Sequence, residues 1–444
     1  MSLRFFNCQV IVISSLVAHG LSTALQSVAK RCGFWPLLVG GLLLLMAGSL
    51  QASVWKATEI WDDDWDLKYS RWMEANWKTD FFMNPKRPAF YKLAHDCGDA
   101  AYFARIAFAW EHKLPFVIHD PLHRGKLLKQ SMRDFDKIGD PVKRLRAFMN
   151  FIAGRVSTSS LPNDTYPVAL KAIRPGDLYV SPGNHNYQIV SISDTGVPTL
   201  LSSTTPRKPR YLLQFQGFPM FVPSDEKNMR DGYRRFRRPQ DINKPMKALP
   251  DFSNEQYKMA KAAGYQFSRF SNALAVMLGQ RPESSRETIE RMVGEMCNLV
   301  NERRDYVNEG FEYLQQMRKQ GRRCMNKEEY YHYSTTSRDM RLGAFFNQNR
   351  RAMNRLMMTG ADPAMIEILR GIFQPDAPSP EVDAKLRLLC PVESGVPYYP
   401  VVDLRDIWLA IWTGQLVSDP HAPLAHRWGI AGTAWEPDCP VYED

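Results

Sequence analysis

The sequence predicts an α+β fold, in which a front part with helices and a small sheet precedes a mostly helical rear part. Residues 97–112 have apolar side chains at helical spacing, and no Gly or Pro follows Gly98 until Pro115. Residues 174–206 consist of short β-branched runs separated by Pro-Gly, Gly-Asn and Thr-Gly turns, which predicts antiparallel strands. From about residue 251 onward, helical periodicity returns and continues through most of the chain.

The length of the chain predicts more than one folded unit. At 444 residues it is long for a single hydrophobic core. We place the boundary in the Pro-containing segment at residues 240–252, which gives an α+β domain at 53–245 and a helical domain with a loop-rich tail at 251–444. In the helical domain, Ser284 and Glu287 have the spacing of a capping box, and Gly321 is placed to end the helix that they begin.

The first 52 residues have the pattern of an export signal. Lys30 and Arg31 precede an apolar run that ends in small residues at Ala52, and this run is short for a membrane span. We expect a signal peptide or an N-terminal anchor, which would associate with a membrane if it is retained. Either kind of leader predicts that the protein is exported, to the periplasm or the cell envelope. Removal of residues 1–52 takes away three basic residues and no acidic one, so the formal charge falls from +10 to +7. A basic protein suits an anionic partner.

The cysteine count supports export and singles out one thiol. Five cysteines follow the leader: Cys97, Cys297, Cys324, Cys390 and Cys439. In an oxidising compartment most of them would pair, and an odd number leaves one over. Local pairing of Cys297 with Cys324, and of Cys390 with Cys439, would leave Cys97 free, although the sequence does not fix this connectivity.

Cys97 stands at the start of the predicted helix 97–112. Unpaired N–H groups and the helix dipole at such a position favour the thiolate, which is the nucleophilic form of cysteine. A nucleophilic thiol also needs a base, usually a histidine oriented by a third polar group. His185, 88 residues further on, heads a predicted strand and is the best candidate. We interpret Asp96 and Asp99 as caps of the helix.

These residues carry a resemblance to a known family. "HDCGDAAYFARIAF" resembles the Asp-Cys-small helix start of NlpC-like cysteine peptidases of the papain superfamily, and "RPGDLYV" followed by "NHNYQIVSI" resembles their strand pair. The resemblance covers residues 88–205. It implies a papain-like core, with an N-terminal helix packed on a small antiparallel sheet, in which Cys97 is the nucleophile and His185 the base. The family places a third polar residue on the next strand, where Ser202 and Ser203 stand. Asn184 and Asn186 are alternatives for orienting the imidazole.

The resemblance implies an exported thiol hydrolase that cleaves amide bonds, in cell-wall peptides or another amide substrate. Two alternatives stay open. An acyltransferase would use the same Cys97–His185 pair with an amine or alcohol acceptor. A non-catalytic binding or scaffold protein would use a degenerate peptidase fold without the chemistry.

No cofactor or metal is expected. His95, Asp96, Cys97 and Asp99 are too close in sequence to converge readily on one ion, and no zinc-site spacing occurs. The segment at residues 232–241 mixes arginines with aromatic residues, as nucleic-acid-binding segments do. Export argues against a nucleic-acid partner, so we expect a solvated linker or the edge of a strand there, with contact to a cell-wall polymer as the alternative.

Overall fold

The computed structural model describes residues 53–183, 185–358, 360–374, 376–432 and 435–442, so the predicted leader lies outside the described residues. No helix in these ranges is long and apolar enough to cross a membrane. The helices are α1 (Asp63–Asn76), α2 (Cys97–Glu111), α3 (Pro141–Ala153), α4 (Leu161–Asp164), α5 (Glu255–Ala262), α6 (Phe267–Leu278), α7 (Ser285–Lys319), α8 (Lys327–Tyr333), α9 (Thr336–Met358), α10 (Pro363–Phe373), α11 (Pro380–Leu389), α12 (Leu404–Trp412) and α13 (Leu424–Arg427). The strands are β1 (Val117–His119), β2 (Leu127–Lys129), β3 (Thr165–Pro167), β4 (Leu178–Ser181), β5 (His185–Ile192), β6 (Pro198–Ser202), β7 (Leu213–Gln216), β8 (Gly232–Phe236), β9 (Val392–Val396) and β10 (Tyr399–Val402).

The mixture of helices and antiparallel strands confirms the α+β class. Six strands form the main sheet, in the order β3-β8-β4-β5-β6-β7, and every neighbouring pair is antiparallel. The pairs β1–β2 and β9–β10 form two separate hairpins. The second hairpin lies in the tail that the sequence predicts to be mainly loop.

The main sheet is the middle layer of the fold, with a hydrophobic core on each face. Side chains along each strand point alternately to one face and to the other. On one face, Val180 and Val190 belong to a core built around α2. On the other face, Tyr187 and Ile189 pack in a second core together with Phe270 of α6. Both faces of β4 and β5 are therefore buried.

Residues Ser53–Asp444 form one compact unit, not two. The predicted boundary near residues 245–251 falls inside the second core, which joins Tyr179 of β4 to Leu249 and to Leu274 of α6. The residues predicted to form separate domains, 53–245 and 251–444, therefore belong to one unit. The physical reason is that the sheet has two apolar faces and the helices that precede it cover only one.

The longest helix, α7, has the ends that its sequence predicts. Ser284 accepts from the backbone N–H of Glu287, whose carboxylate in turn accepts from the N–H of Ser284, at 3.2 and 2.9 Å. The helix stops at Lys319, and Gly321 follows with φ +80°. Its apolar side packs with α9, α10 and α12 in a third core that includes Phe346 and Trp408.

The disulfides join Cys297 to Cys390 and Cys324 to Cys439. The local pairing predicted from sequence is wrong, because Cys297 lies in the interior of helix α7. About 33 Å of helix separate it from the end of α7, at 1.5 Å per residue, and Cys324 lies beyond that end. Cys97 is free, as predicted. Two disulfides are typical of a protein from an oxidising compartment.

Two predicted helical regions are shorter or broken in the structure. The sequence of residues 125–155 also predicts a helix, but this region is helical only from Pro141, since Asp140 caps α3 and the earlier residues include strand β2. The region 254–278 forms two helices, α5 and α6, separated at Gly264, which has φ +63°. A left-handed backbone at this glycine ends the first helix.

The basic segment at residues 232–241 begins with β8, an interior strand of the sheet. All five residues of β8 are buried. Arg234 donates to the carbonyls of Pro162 and Thr165, and Arg235 pairs with Asp177 at 2.8 Å. The expectation of a solvated linker or strand edge is therefore wrong for β8. Its arginines are held inside the protein and are unavailable to an anionic partner.

Candidate functional site

Cys97 is the first residue of α2, and a reciprocal capping box fixes its position. The backbone N–H of Asp99 donates to the Asp96 carboxylate at 3.0 Å, and the N–H of Asp96 donates to the Asp99 carboxylate at 3.1 Å. These bonds satisfy backbone donors that would otherwise be free at the helix start. Cys97 is only 9% exposed.

The start of α2 also presses closely against a neighbouring loop. A Cβ atom added at Gly98 would lie 2.8 Å from the carbonyl carbon of Ser157 and 2.9 Å from the nitrogen of Thr158. These are backbone atoms, which do not move aside as a flexible side chain can. Glycine at position 98 is therefore required by close packing of the helix against residues 157 and 158.

The electrostatic environment opposes ionisation of the thiol. Burial, followed by the negative charge of Asp96, raises the pKa of Cys97 to about 12, while a hydrogen bond from the Gly98 N–H acts in the opposite direction. This direction is opposite to the one expected from the helix start alone. A carboxylate cap placed beside the thiol offsets the favourable helix dipole.

Asn186 is the residue of β5 that faces Cys97. Its Nδ2 donates to the Cys97 carbonyl at 2.8 Å, and it is fully buried. Its Oδ1 accepts a long hydrogen bond, 3.5 Å, from Gln188 Nε2, and Gln188 Oε1 accepts from the indole of Trp77 at 2.6 Å. A chain of buried side-chain hydrogen bonds thus connects β5 to the helix start.

His185 lies on the opposite face of the sheet. It shares the side-chain direction of Tyr187 and Ile189, which belong to the second core, and its ring packs edge-on to Tyr187 at 4.6 Å between centroids. Burial, with additional effects of Arg341 and Arg338 of α9, lowers the pKa of His185 to about 3. No hydrogen bond joins Cys97 and His185 in the part of the chain that the structure describes.

The structure therefore does not bring the predicted nucleophile and base together. The physical reason is the alternation of side chains along β5: a shift of one residue moves a side chain across the sheet. The sequence contains a usable signal, since Asn186 and Gln188 alternate with the apolar Tyr187 and Ile189. Asn184, the other predicted orienting residue, lies outside the described residues.

The side chains of Ser202 and Ser203 also lie on opposite sides of the sheet. Ser203 Oγ is 2.8 Å from His95 Nδ1, on the side of α2, whereas Ser202 lines a small cavity with Tyr187 and Arg341 on the other side. His95 is fully buried and its Nε2 lies 3.3 Å from the Arg210 carbonyl. Burial lowers the pKa of His95 to about 3, so the ring is neutral at physiological pH. The sequence did not predict this His95–Ser203 contact.

Asp99 connects α2 to the segment that follows β6. Arg207 Nε donates to the fully buried Asp99 carboxylate at 2.8 Å. Burial and the neighbouring Asp96 raise the pKa of Asp99 to about 7, against the opposing effect of Arg207. The resulting constellation around Cys97 consists of capping groups, an amide and a buried imidazole.

Neither a metal site nor a known relative adds to this geometry. Within the described ranges, no group of three or more His, Cys, Asp or Glu side chains is arranged to hold a metal ion. No protein-family model, curated protein or solved structure matches the chain.

Proposed function

We propose that this chain is an exported binding or scaffold protein, built on a peptidase-like arrangement in which Cys97 is a structural thiol. The observation that carries the proposal is the position of Asn186. Where a thiol peptidase needs a base on the strand facing its cysteine, this chain has an amide that cannot accept a proton from a thiol. His185, the nearest imidazole in sequence on that strand, faces away.

The surroundings of Cys97 support the same proposal. A nucleophilic cysteine requires a substantial thiolate population, and a pKa of about 12 leaves almost none at neutral pH. Export is supported by the two disulfides and by the leader pattern. The formal charge of +7 after residue 52 suits an anionic polymer or peptide of the cell envelope as the partner.

A thiol hydrolase acting on amide bonds is the second candidate. The observation in its favour is that Cys97 is a free thiol at the first position of α2 in a chain whose Cys297, Cys324, Cys390 and Cys439 are all paired. In that case, binding of substrate would have to provide both a base and a more polar environment. An acyltransferase would face the same requirement.

Alkylation of Cys97 over a pH series separates the two candidates. A Cys8→Ser/Cys32→Ser variant kept under non-reducing conditions has Cys97 as its only thiol. We expect iodoacetamide to modify it at pH 7.5 at least about tenfold more slowly than a free cysteine, because burial and Asp96 disfavour the thiolate. His185→Ala should leave the rate unchanged. Intact mass spectrometry measures the modification.

The denatured protein and a Cys97→Ser variant are the controls for this experiment. In denaturant, Cys97 should react at the rate of free cysteine, and Cys97→Ser should not react at all. Wild type and Cys97→Ser should both leave cell-wall peptides uncleaved. Rapid alkylation near pH 6 that is lost in His185→Ala, or peptide cleavage that requires Cys97, would establish the hydrolase and refute the binding-protein proposal.

A further inference from the structure

A cleft of about 580 Å³ lies between α6, the start of α7 and one side of α9. It is on the face of the sheet opposite to Cys97, since Val197, Phe215 and Phe218 of its floor pack in or against the second core. We call it the α6–α9 cleft. Its size is that of a small-molecule site. It is separate from the constellation around Cys97 and does not depend on the function proposed above.

The walls of the α6–α9 cleft are mainly apolar. Phe267, Ala275 and Val276 of α6 line one side, and Phe345, Ala352 and Leu356 of α9 line the other, with Met292 of α7 beside them. Val276 is 79% exposed, which is high for a large aliphatic side chain. Such a surface favours the apolar part of a ligand.

Hydrogen bonds hold the edge of the cleft in place. The turn between β5 and β6 abuts the end of α6, where the N–H of Gln280 donates to the Asp194 carbonyl at 2.7 Å. The Arg281 guanidinium donates to the Asp194 carboxylate at 2.8 Å. A Cβ added at Gly196 would lie 2.2 Å from the Ala275 carbonyl oxygen, so the turn and the helix are in close contact. Contacts within the chain therefore fix this edge of the cleft.

A buried polar group in the cleft has no partner among the described residues. Asn349 of α9 lines the cleft and is 4% exposed, and its Nδ2 makes no hydrogen bond to any of them. A buried amide donor without a partner is costly, so a ligand acceptor at this point would bring a gain in binding free energy. Carboxylate and similar oxygens are the strongest acceptors for such a donor.

The charges at the cleft favour an anion. Two of its arginines are already paired, Arg291 with Glu283 at 2.8 Å and Arg281 with Glu287 at 2.6 Å. Arg355, which is exposed and lies six residues beyond Asn349 on α9, has no ion pair with any described residue. Its positive charge is therefore available at the rim of the cleft.

We propose that the α6–α9 cleft binds an amphipathic anion, in which a single apolar chain or ring system ends in an acidic group. The apolar part packs against Phe215, Phe267 and Met292. The acidic group accepts from Asn349 Nδ2 and is attracted by Arg355. A neutral molecule of the same length lacks the attraction to Arg355.

Binding of decanoate and decanol to the full chain tests this proposal. Isothermal titration calorimetry should show one decanoate site and weaker binding of decanol. Arg355→Ala should weaken decanoate binding roughly fivefold, the effect of a partly screened charge pair, and leave decanol unchanged. Arg351→Ala, at an exposed position of α9 outside the cleft, is the matched control and should change neither affinity.

Filling the cleft gives a second, independent readout. Ala352→Trp should reduce decanoate binding more than tenfold, whereas Ala344→Trp, at an exposed position of the same helix, should bind as wild type does. Asn349→Leu, of similar volume, should weaken decanoate more than decanol, and it provides the test if Ala352→Trp does not fold. Absence of decanoate binding to wild type overturns the proposal. Equal binding of decanol and decanoate, or undiminished binding by folded Ala352→Trp, also overturns it.

Discussion

Asn186 is fully buried, and the hydrogen bond from its amide to the Cys97 carbonyl is 2.8 Å long. A carbonyl in the first turn of a helix already accepts within the helix, so this second bond adds an attachment between β5 and α2. The side chain of the neighbouring residue, His185, points to the other face, where its ring packs against Tyr187. The side chain that faces Cys97 is therefore the amide of Asn186 and not the imidazole of His185.

Replacement of Asn186 tests the structural importance of this contact. We expect Asn186→Ala to lower the free energy of unfolding by about 1–3 kcal/mol, because it leaves buried groups without their partners. Urea denaturation measures the change. Asn354→Ala, at an exposed position of α9, is the control and should stay within about 0.5 kcal/mol of wild type. A similarly small change in Asn186→Ala would contradict a structural role.

His95 makes stability depend on pH in the acid range. Burial lowers its pKa from 6.5 to about 3, so between these values the unfolded chain binds a proton that the folded chain does not. Stability therefore falls as pH falls from 6.5 to 3. We expect His95→Gln, which keeps a polar partner for Ser203, to reduce this loss. Urea denaturation at pH 7, 6, 5 and 4 measures it, and an unchanged slope would argue against a neutral buried imidazole.

At the scale of elements, the start of α2 is defined by two features together: the capping box of Asp96 and Asp99, and the contact of Gly98 with the loop at residues 157 and 158. The first was predicted from the residue types. The second involves a partner about 60 residues away, and only the packed structure reveals it. Both set the orientation in which α2 meets β5.

A pair of glycine substitutions separates close packing from helix propensity. Gly98→Ala should destabilise the protein by about 1–3 kcal/mol, because the added Cβ meets the backbone of Ser157 at 2.8 Å. Gly294→Ala, in the exposed interior of α7 with nothing within 4 Å of the new Cβ, should stabilise it by up to about 1 kcal/mol. Thermal and urea unfolding measure both. If Gly98→Ala left stability unchanged or raised it, as Gly294→Ala is expected to do, the close contact at Gly98 would be refuted.

At the scale of the whole molecule, the disulfides connect segments that are distant in sequence. Cys297–Cys390 closes a loop with a sequence separation of 93, and Cys324–Cys439 one of 115. Both lie in the rear part. The first fixes α7 to the end of α11, and the second fixes the segment between α7 and α8 to the C-terminal tail. Loops of this length give the unfolded chain much freedom, which a disulfide removes.

Removal of one disulfide should have a large effect. We expect Cys297→Ala/Cys390→Ala to lower the free energy of unfolding by about 2–5 kcal/mol, whereas Cys97→Ser should have a smaller effect. Peptide mapping without reduction should first recover the 297–390 and 324–439 linkages. Recovery of linked 297–324 peptides instead would show that the connectivity described here is wrong.

The sequence predicted features that depend on local chemistry. Helix α2, the ends of α7, the antiparallel strands at 178–202 and the free thiol of Cys97 all follow from capping residues, periodicity, turns and an odd cysteine count. It did not predict that β8 is an interior strand, because the partners that hold Arg234 and Arg235 include residues in 162–177 and Asp251, which are distant from β8 in sequence. Pairing of a buried arginine is a property of the assembled sheet.

The sequence by itself determined the α+β class and the position of Cys97 at a helix start. The tertiary structure decided which face of β5 meets α2, and therefore that Asn186 and not His185 lies beside Cys97. It also decided that both faces of the sheet are covered, so that one unit forms where two were expected. The physical reason is the same in both cases. A strand offers two faces, and only the packing of distant segments determines what each face contacts.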